Sequence, residues 1–380
     1  MKILQVIPYF AFTRGGDVNV CYNLSKELTG LGHKVSILTT TFDYNPEDTD
    51  TISNLNMIPI EYKFNLALFI YSPKMKDWLD KHVAEYDIIH LHELRSYQNN
   101  IVIKYAEKYN IPYVLQPHAS TPKHIDKRLI KEAYDLAYGN RIMKNAACTI
   151  AVSKEEAYYD KQMNAKWVEV VYNGMNLEEF KEMPEKGSFQ EKYNINSPYF
   201  LYLGRIDKLK GINHVIESFA QLPDKYDGYK LVIIGKITDY KKELDDIIRN
   251  YDISDRVIFT GFIDQKDKPM AYHDASVFIS PVKYMGGVSI TVFESILSDT
   301  PVVVTKESGE LIEEIDGGII VEYGNIKEIC DAIITLTEDE KLANKKVETA
   351  KSYIDDNLSW SRVCDKILEI YKKAITEAKE

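Results

Sequence analysis

Little in this sequence points to secretion, to a membrane span or to a structural metal. Its four cysteines, Cys21, Cys148, Cys330 and Cys364, are scattered over 380 residues and form no CxxC pair. That removes the disulfide framework of small secreted domains and the usual zinc spacing, and it fits a reducing compartment. No apolar run reaches the roughly 18 residues that a spanning helix needs. The opening MKILQVIPYF reads as a strand, too short and too mixed for a signal peptide, so a cytoplasmic location is the expectation. Basic residues are in deficit, 47 Lys and Arg against 58 Asp and Glu, for a net charge of -11. Such a balance argues against a surface that coats nucleic acid, although local basic patches remain open. The G-x-G-x-x-G fingerprint is missing after the first strand of either half, which leaves a dinucleotide-dependent oxidoreductase least favoured.

What is present is an alternation. The apolar fraction of 45% is enough to fill two cores, and the length suits two domains of about 150–200 residues. Runs such as KILQVIPYF, KVSILTT, DIIHLH, YFLYLGR, KLVIIGK and PVVVT recur between longer amphipathic stretches. Runs that are apolar throughout, rather than at every second residue, indicate strands covered on both faces and hence parallel sheets. Strand–helix repetition then predicts doubly wound α/β domains. The series breaks once, at the polar 174–197, which reads as a linker. The expected organisation is an N-terminal domain over 1–174, a linker over 175–197 and a C-terminal domain over 198–358. The stretch WSRVCDKILEIYKKAI predicts an amphipathic helix over 359–380 that packs back on the N-terminal domain.

Open parallel sheets bind ligands at the carboxyl ends of their strands, against helix N-termini. Four groups occupy such places. Gly15 and Gly16 open a helix after the first strand, where backbone amides can approach an anion; a plain tight turn accounts for them equally well. His118 emerges from a strand in VLQPHAS and can bond a polar ligand or rest as a satisfied surface histidine. Arg205 follows the strand of YLGRIDKLKG and Lys210 precedes a helix, a pair suited to a polyanion such as a diphosphate. Ser289 closes GGVS, and Glu294 lies about two turns into the next helix, where a carboxylate can hold a ribose diol or merely face solvent. His90 and His92 share one strand face, and without a third ligand they read as structural. Asp48 and Asp50 sit in a polar loop and carry no metal assignment. The segments 122–131 and 64–78 read as ordinary surface helices, with a membrane surface or a lipid-linked acceptor as the alternative contact.

In this order the groups resemble the retaining GT-B glycosyltransferases of group 1, glycosyltransferase family 4. The resemblance runs from the Gly15–Gly16 loop through DIIHLH, QPHAS, VVYNGMN, YLGRIDKLKG, VIFTGF and FESILSDTPVV. It implies the GT-B fold, two Rossmann-like doubly wound parallel-sheet domains facing across a cleft. It also implies a nucleotide-sugar donor and a glycan, lipid-linked or small-molecule acceptor. Arg205 and Lys210 would hold the donor diphosphate, Glu294 the ribose, and Gly15, Gly16 and His118 the transferred sugar. Backbone at Gly261, Phe262 and Ile263 would meet the base, and the amides of Gly287, Val288 and Ser289 the sugar. No cofactor or metal is implied, because fixed cations serve the leaving group. The resembled family carries two glutamates with seven residues between them; Glu294 matches the second, and Gly286 stands at the first. A non-catalytic nucleotide-sugar-binding subunit and a sugar-nucleotide epimerase therefore stand beside the transferase reading.

Overall fold

The structure, a computed structural model, describes residues 1–44, 54–66, 69–122, 128–283 and 289–379. The chain divides into two units. The first comprises Met1–Gly174 and Trp360–Glu380, the second Met175–Ser359.

In the first unit the strands are β1 (Lys2–Val6), β2 (Lys34–Thr40), β3 (Asn56–Ile60), β4 (Phe64–Leu66), β5 (Phe69–Tyr71), β6 (Ile88–His92), β7 (Tyr113–Gln116), β8 (Cys148–Ala151) and β9 (Val168–Val170). Seven of them form a parallel sheet in the order β3-β2-β1-β6-β7-β8-β9. Alternate residues go to opposite faces, as the strand period of two requires. Leu4, Ile89 and Leu115 enter one core. Ile3, Ile88 and Val114 enter the other, with Leu24 and Leu28 of the helix Gly16–Gly30 and Ile367 and Tyr371 of the helix Trp360–Glu377. The last helix of the chain thus fills the core of the first sheet. Gln5 pairs in register with His90, and His92 with Gln116. These polar residues share the face that the C-terminal helix covers.

The second unit carries β10 (Tyr199–Leu203), β11 (Lys230–Ile234), β12 (Val257–Gly261), β13 (Val277–Ser280), β14 (Val302–Thr305) and β15 (Ile319–Val321). They form a parallel sheet in the order β12-β11-β10-β13-β14-β15. Phe200, Ile216, Phe219, Leu231 and Ile333 are among its fully buried residues. In each sheet the strand order reverses beside the first strand, between β1 and β6 and between β10 and β13. A crevice opens at the carboxyl ends at such reversals, because successive connections leave in opposite directions.

Three readings differ from the structure. Residues 64–66 and 69–71, within a stretch read as a surface helix, form an antiparallel hairpin. Phe64, Phe69, Ile70 and Tyr71 are aromatic or β-branched, and that chemistry prevails over helical spacing in so short a run; the helix begins only at Lys74. β3 was not foreseen because Pro59 interrupts it; Pro is tolerated at a sheet edge, where β3 lies. The segment read as a linker contains the helix Ser188–Tyr193 and belongs to the second unit. Its N-terminus is capped from elsewhere in the chain: the amides of Gly187, Phe189 and Gln190 donate to the Asp274 carboxylate at 2.6, 2.8 and 3.1 Å. Lys192 and Tyr193 bind Asp267, and Phe189 is fully buried. Local composition cannot show a cap supplied from that distance.

Candidate active site

In the second unit the residues that could bind a ligand lie on loops whose backbones lock one another. The Gly204 amide donates to the Ile234 carbonyl at 2.9 Å, and the Gly235 amide to the Gly261 carbonyl at 3.0 Å. A Cβ at Gly235 would lie 1.9 Å from the Gly204 carbonyl oxygen, so only glycine lets the two loops meet. Past Gly204 the chain is pinned at every turn. The Tyr202 hydroxyl donates to the Arg205 carbonyl at 2.9 Å, and Thr238 to the Ile206 carbonyl at 2.7 Å. The Lys283 amide donates to the Leu209 carbonyl at 3.0 Å. Gly211 ends this loop in the left-handed region, φ 64°, and a Cβ there would sit 2.1 Å from the Pro281 carbonyl oxygen. That contact draws Lys210 to the carboxyl end of β13.

Three cations ride on this frame. Lys208 is engaged, with its ammonium 2.6 Å from Glu243. Arg205 is exposed and Lys210 half-buried, and neither forms an ion pair among the described residues. Burial first, and then the charge of Arg205, push the Lys210 ammonium down to about 8. Two cations held close, one partly desolvated and without an internal counter-ion, repel until an anion arrives.

In the same unit, Ser289 stands at the N-cap position of the helix Ile290–Leu297, and its hydroxyl lies 2.7 Å from that of Thr291. Glu294, one turn in, is not the solvent-facing residue that its sequence allowed. Its carboxylate accepts from the Tyr272 hydroxyl at 2.8 Å and lies 3.6 Å from the Lys268 ammonium. At the end of β12, Gly261 has φ 77°, Ile263 is buried, and Phe262 leaves 75% of its surface exposed. Gly286, Gly287 and Val288 lie outside the described residues, as do Asp48 and Asp50.

The first unit is built differently. Gly15 precedes the helix Gly16–Gly30 in extended backbone, and a Cβ on it would approach the Asp17 carboxylate at 2.9 Å. Arg14, between the strand and these glycines, is taken: it binds Asp43 and lies over the Tyr9 and Phe42 rings. Burial and the nearby Asp17 carboxylate push the Glu93 carboxyl up to about 8. The same Asp17 opposes the burial that holds His118 down at about 4. The Asp17 charge thus acts on Tyr9, Glu93 and His118, which lie past the carboxyl ends of β1, β6 and β7. His118 and Ala119 have φ 55° and 62°, a costly backbone for residues other than glycine. A clamp sustains it. The Ser120 hydroxyl donates to the Pro117 carbonyl at 2.6 Å, and Arg95 donates to the carbonyls of Ser120 and Thr121 while forming a two-pronged bond to buried Asp135.

The family model described as Glycosyl transferases group 1 matches residues 185–353. That described as Glycosyltransferase Family 4 matches residues 14–179. The chain belongs to the group 1, family 4 glycosyltransferases. An uncharacterized glycosyltransferase of Methanocaldococcus jannaschii is 25% identical over 99% of both chains. A phosphatidyl-myo-inositol mannosyltransferase of Mycolicibacterium smegmatis is 23% identical over 98% of this chain and 94% of its own. The crystal structure of Anabaena HepE in complex with UDP superposes with a TM-score of 0.82 at 18% identity, over 98% of this chain and 100% of that one. The fold is GT-B.

Of the residues that sequence pattern singled out, Arg205, Lys210 and His118 lie past strand ends, Ser289 and the Gly15–Gly16 turn at helix starts, and Glu294 one turn into a helix. That pattern missed what holds them: Tyr272 and Lys268 on Glu294, Arg95 and Asp135 on the His118 loop, and Asp17 with Glu93. Asp17 was within reach, standing in the first turn of a helix just past the glycines. Arg95 and Asp135 were not, being forty residues apart. Among the described residues no cluster of three His, Cys, Asp or Glu is arranged for a metal ion, and no helix is long and apolar enough to cross a membrane.

Proposed function

We propose that the protein transfers a hexose-type sugar from a nucleotide diphosphate donor to a hydroxyl of a glycan, lipid-linked or small-molecule acceptor, with retention and without a metal. The observation that carries this is the Arg205–Lys210 pair. Both cations lie on a backbone-locked loop and form no ion pair among the described residues, and burial and the charge of Arg205 lower Lys210 against the opposing charge of Asp207. Breaking the anomeric bond places negative charge on the β-phosphate, and preorganised cations favour that state with no rearrangement. Glu294, oriented by Tyr272, would accept from the ribose diol, while Gly15, Gly16 and His118 would border the sugar. The departing phosphate would take the acceptor's proton on the face it leaves, which gives retention.

The relatives support the donor class: HepE has been crystallised with UDP-glucose, and the Mycolicibacterium relative is named for mannosyl transfer to phosphatidyl-myo-inositol. A lipid-linked acceptor draws support from Leu129, Ile130 and Leu136, which stand 80%, 69% and 84% exposed near Arg128. A second reading, a nucleotide-sugar-binding subunit without turnover, would rest on Gly286 alone, at the place where the resemblance puts a first glutamate.

The test is to incubate the purified chain, without added metal, with UDP-, GDP- and ADP-sugars and follow free nucleotide by mass spectrometry. Release from one donor, abolished by Arg205→Ala, is the expected result. Binding with no release from any donor would select the second reading, and Gly286→Glu would then be expected to restore turnover.

A further inference from the structure

His118 does not stand alone. Its Nε2 lies 2.7 Å from Nδ1 of His92, and the two rings stack at 5.0 Å and 8°. His92 Nε2 lies 2.7 Å from Oε1 of Gln5. Gln5 Nε2 donates in turn to the Tyr371 hydroxyl at 3.3 Å, and that hydroxyl lies 2.6 Å from Nδ1 of His90. Gln5, His90 and His92 are fully buried, as is Tyr371 on the helix Trp360–Glu377. Five side chains thus make one hydrogen-bonded chain from a strand's carboxyl end to the last helix of the sequence.

With the Gln5 amide placed Nε2 toward Tyr371, the hydrogen count sets the direction of this chain. A neutral imidazole has one N–H and one lone pair. Burial holds all three histidines neutral. The Gln5 carbonyl oxygen can only accept, so His92 carries its proton on Nε2 and accepts at Nδ1. His118 must then donate from Nε2, and its Nδ1 is left as the ring's lone-pair nitrogen. At the far end Gln5 donates to the Tyr371 oxygen, and Tyr371 spends its own proton on His90. The direction follows from the orientation of the Gln5 amide, with Nε2 toward Tyr371 and Oε1 toward His92. A reversed amide would reverse every bond and make His118 a donor.

We propose that Gln5, His92 and Tyr371 are positioning residues that hold His118 as the Nε2–H tautomer, so that it meets its ligand as a hydrogen-bond acceptor for an uncharged hydroxyl. Such a group favours a neutral polyol over an anion, because a lone pair faces the incoming oxygen and only a hydroxyl brings a proton to it. The hydroxyl being that of the transferred sugar rests on the transferase reading; the tautomer does not.

The test has two arms, both on the full chain. In the ligand-free protein labelled with 15N-histidine, His118 is expected to show a pyrrole-like Nε2 and a pyridine-like Nδ1. Tyr371→Phe, which removes one buried hydroxyl and little volume, is expected to turn this into a mixture of tautomers. The reverse tautomer in the wild type, or an unchanged spectrum in Tyr371→Phe, overturns the proposal. In turnover, Tyr371→Phe is expected to lower kcat about tenfold, the scale of one well-placed hydrogen bond, with donor KM little changed. The double variant with His118→Gln should be no slower than His118→Gln alone, since both act through one group. Additive losses would reduce Tyr371 to a packing role and overturn the relay. Should turnover ignore His118→Gln while the tautomer result holds, the placement of the sugar falls and the chain of bonds stands.

Discussion

The two units present opposite chemistry on the same architecture. At the carboxyl ends of the second sheet the side chains are charged, partly exposed and carried on loops locked by backbone contacts at Gly204, Gly211 and Gly235. At the carboxyl ends of the first sheet many titratable groups are buried and shifted toward their neutral forms, beside the charged Arg95–Asp135 pair. His90, His92 and His118 are pushed down, and Glu93, Glu156 and Asp160 are pushed up. Fixed cations suit an anion that gains charge during a reaction. Neutral donors and acceptors suit hydroxyls, which they distinguish by direction rather than by charge. One fold therefore serves either kind of ligand, and the residues just past each strand decide which.

The sharpest break in this comparison is Arg205→Ala. Removing one preorganised donor from a developing anion costs on the order of 10²–10³ in turnover, so kcat/KM for a nucleotide-sugar should fall by about that factor. A loss below about tenfold would move the anion site elsewhere. Gly211→Ala comes next. A Cβ 2.1 Å from the Pro281 carbonyl oxygen, at φ 64°, should cost about 2 kcal/mol or more. Thermal unfolding of the purified variant reads that loss, and an unchanged midpoint would mean that the loop is not held where it stands.

Proton linkage separates the units in another way. For the second, deprotonation of Lys210 should make kcat/KM fall as pH rises through about 8. For the first, the signs oppose. The histidines are neutral when folded but protonated when unfolded below about 6.5, so they remove stability as pH falls toward 4. The carboxyls are protonated when folded but ionised when unfolded above about 4.3, so they remove stability as pH rises through about 7 to 8. Between these limits the two sets cancel. The prediction is a flat melting temperature from about pH 4.5 to 6.5 and a decline above it, partly abolished by Asp160→Asn. A melting temperature that climbs through pH 8 would show these carboxyls ionised. The smallest expected effect is Tyr272→Phe. Losing one hydrogen bond to Glu294 should cost about 1 kcal/mol and raise the donor's KM several-fold while kcat holds.

The fold was largely legible in the sequence, because strands buried on both faces are written as unbroken apolar runs. YFLYL and KLVII became β10 and β11, and IIHLH became β6, its two histidines notwithstanding. β3 was hidden by Pro59, and the β4–β5 hairpin by its brevity. The charged half of the site was legible for a similar reason: Arg205 and Lys210 sit within seven residues of a strand end, beside glycines that mark tight contacts. The neutral half was legible only at His118. Tyr371 lies 366 residues from Gln5, and in sequence it is one apolar-face position of an amphipathic helix. His92 reads as a core histidine until the register of β1 against β6 sets Gln5 opposite His90, from where its amide oxygen reaches His92. Local pattern records what a residue is, while a relay depends on what three elements bring together.

The division of labour between the units is tested most directly by calorimetric titration of UDP, GDP and ADP into the wild type, Arg205→Ala and His118→Gln. The account predicts that one of these diphosphates binds the wild type, that Arg205→Ala abolishes or greatly weakens that binding, and that His118→Gln leaves it unchanged. Diphosphate binding that survives Arg205→Ala and is lost with His118→Gln would contradict it.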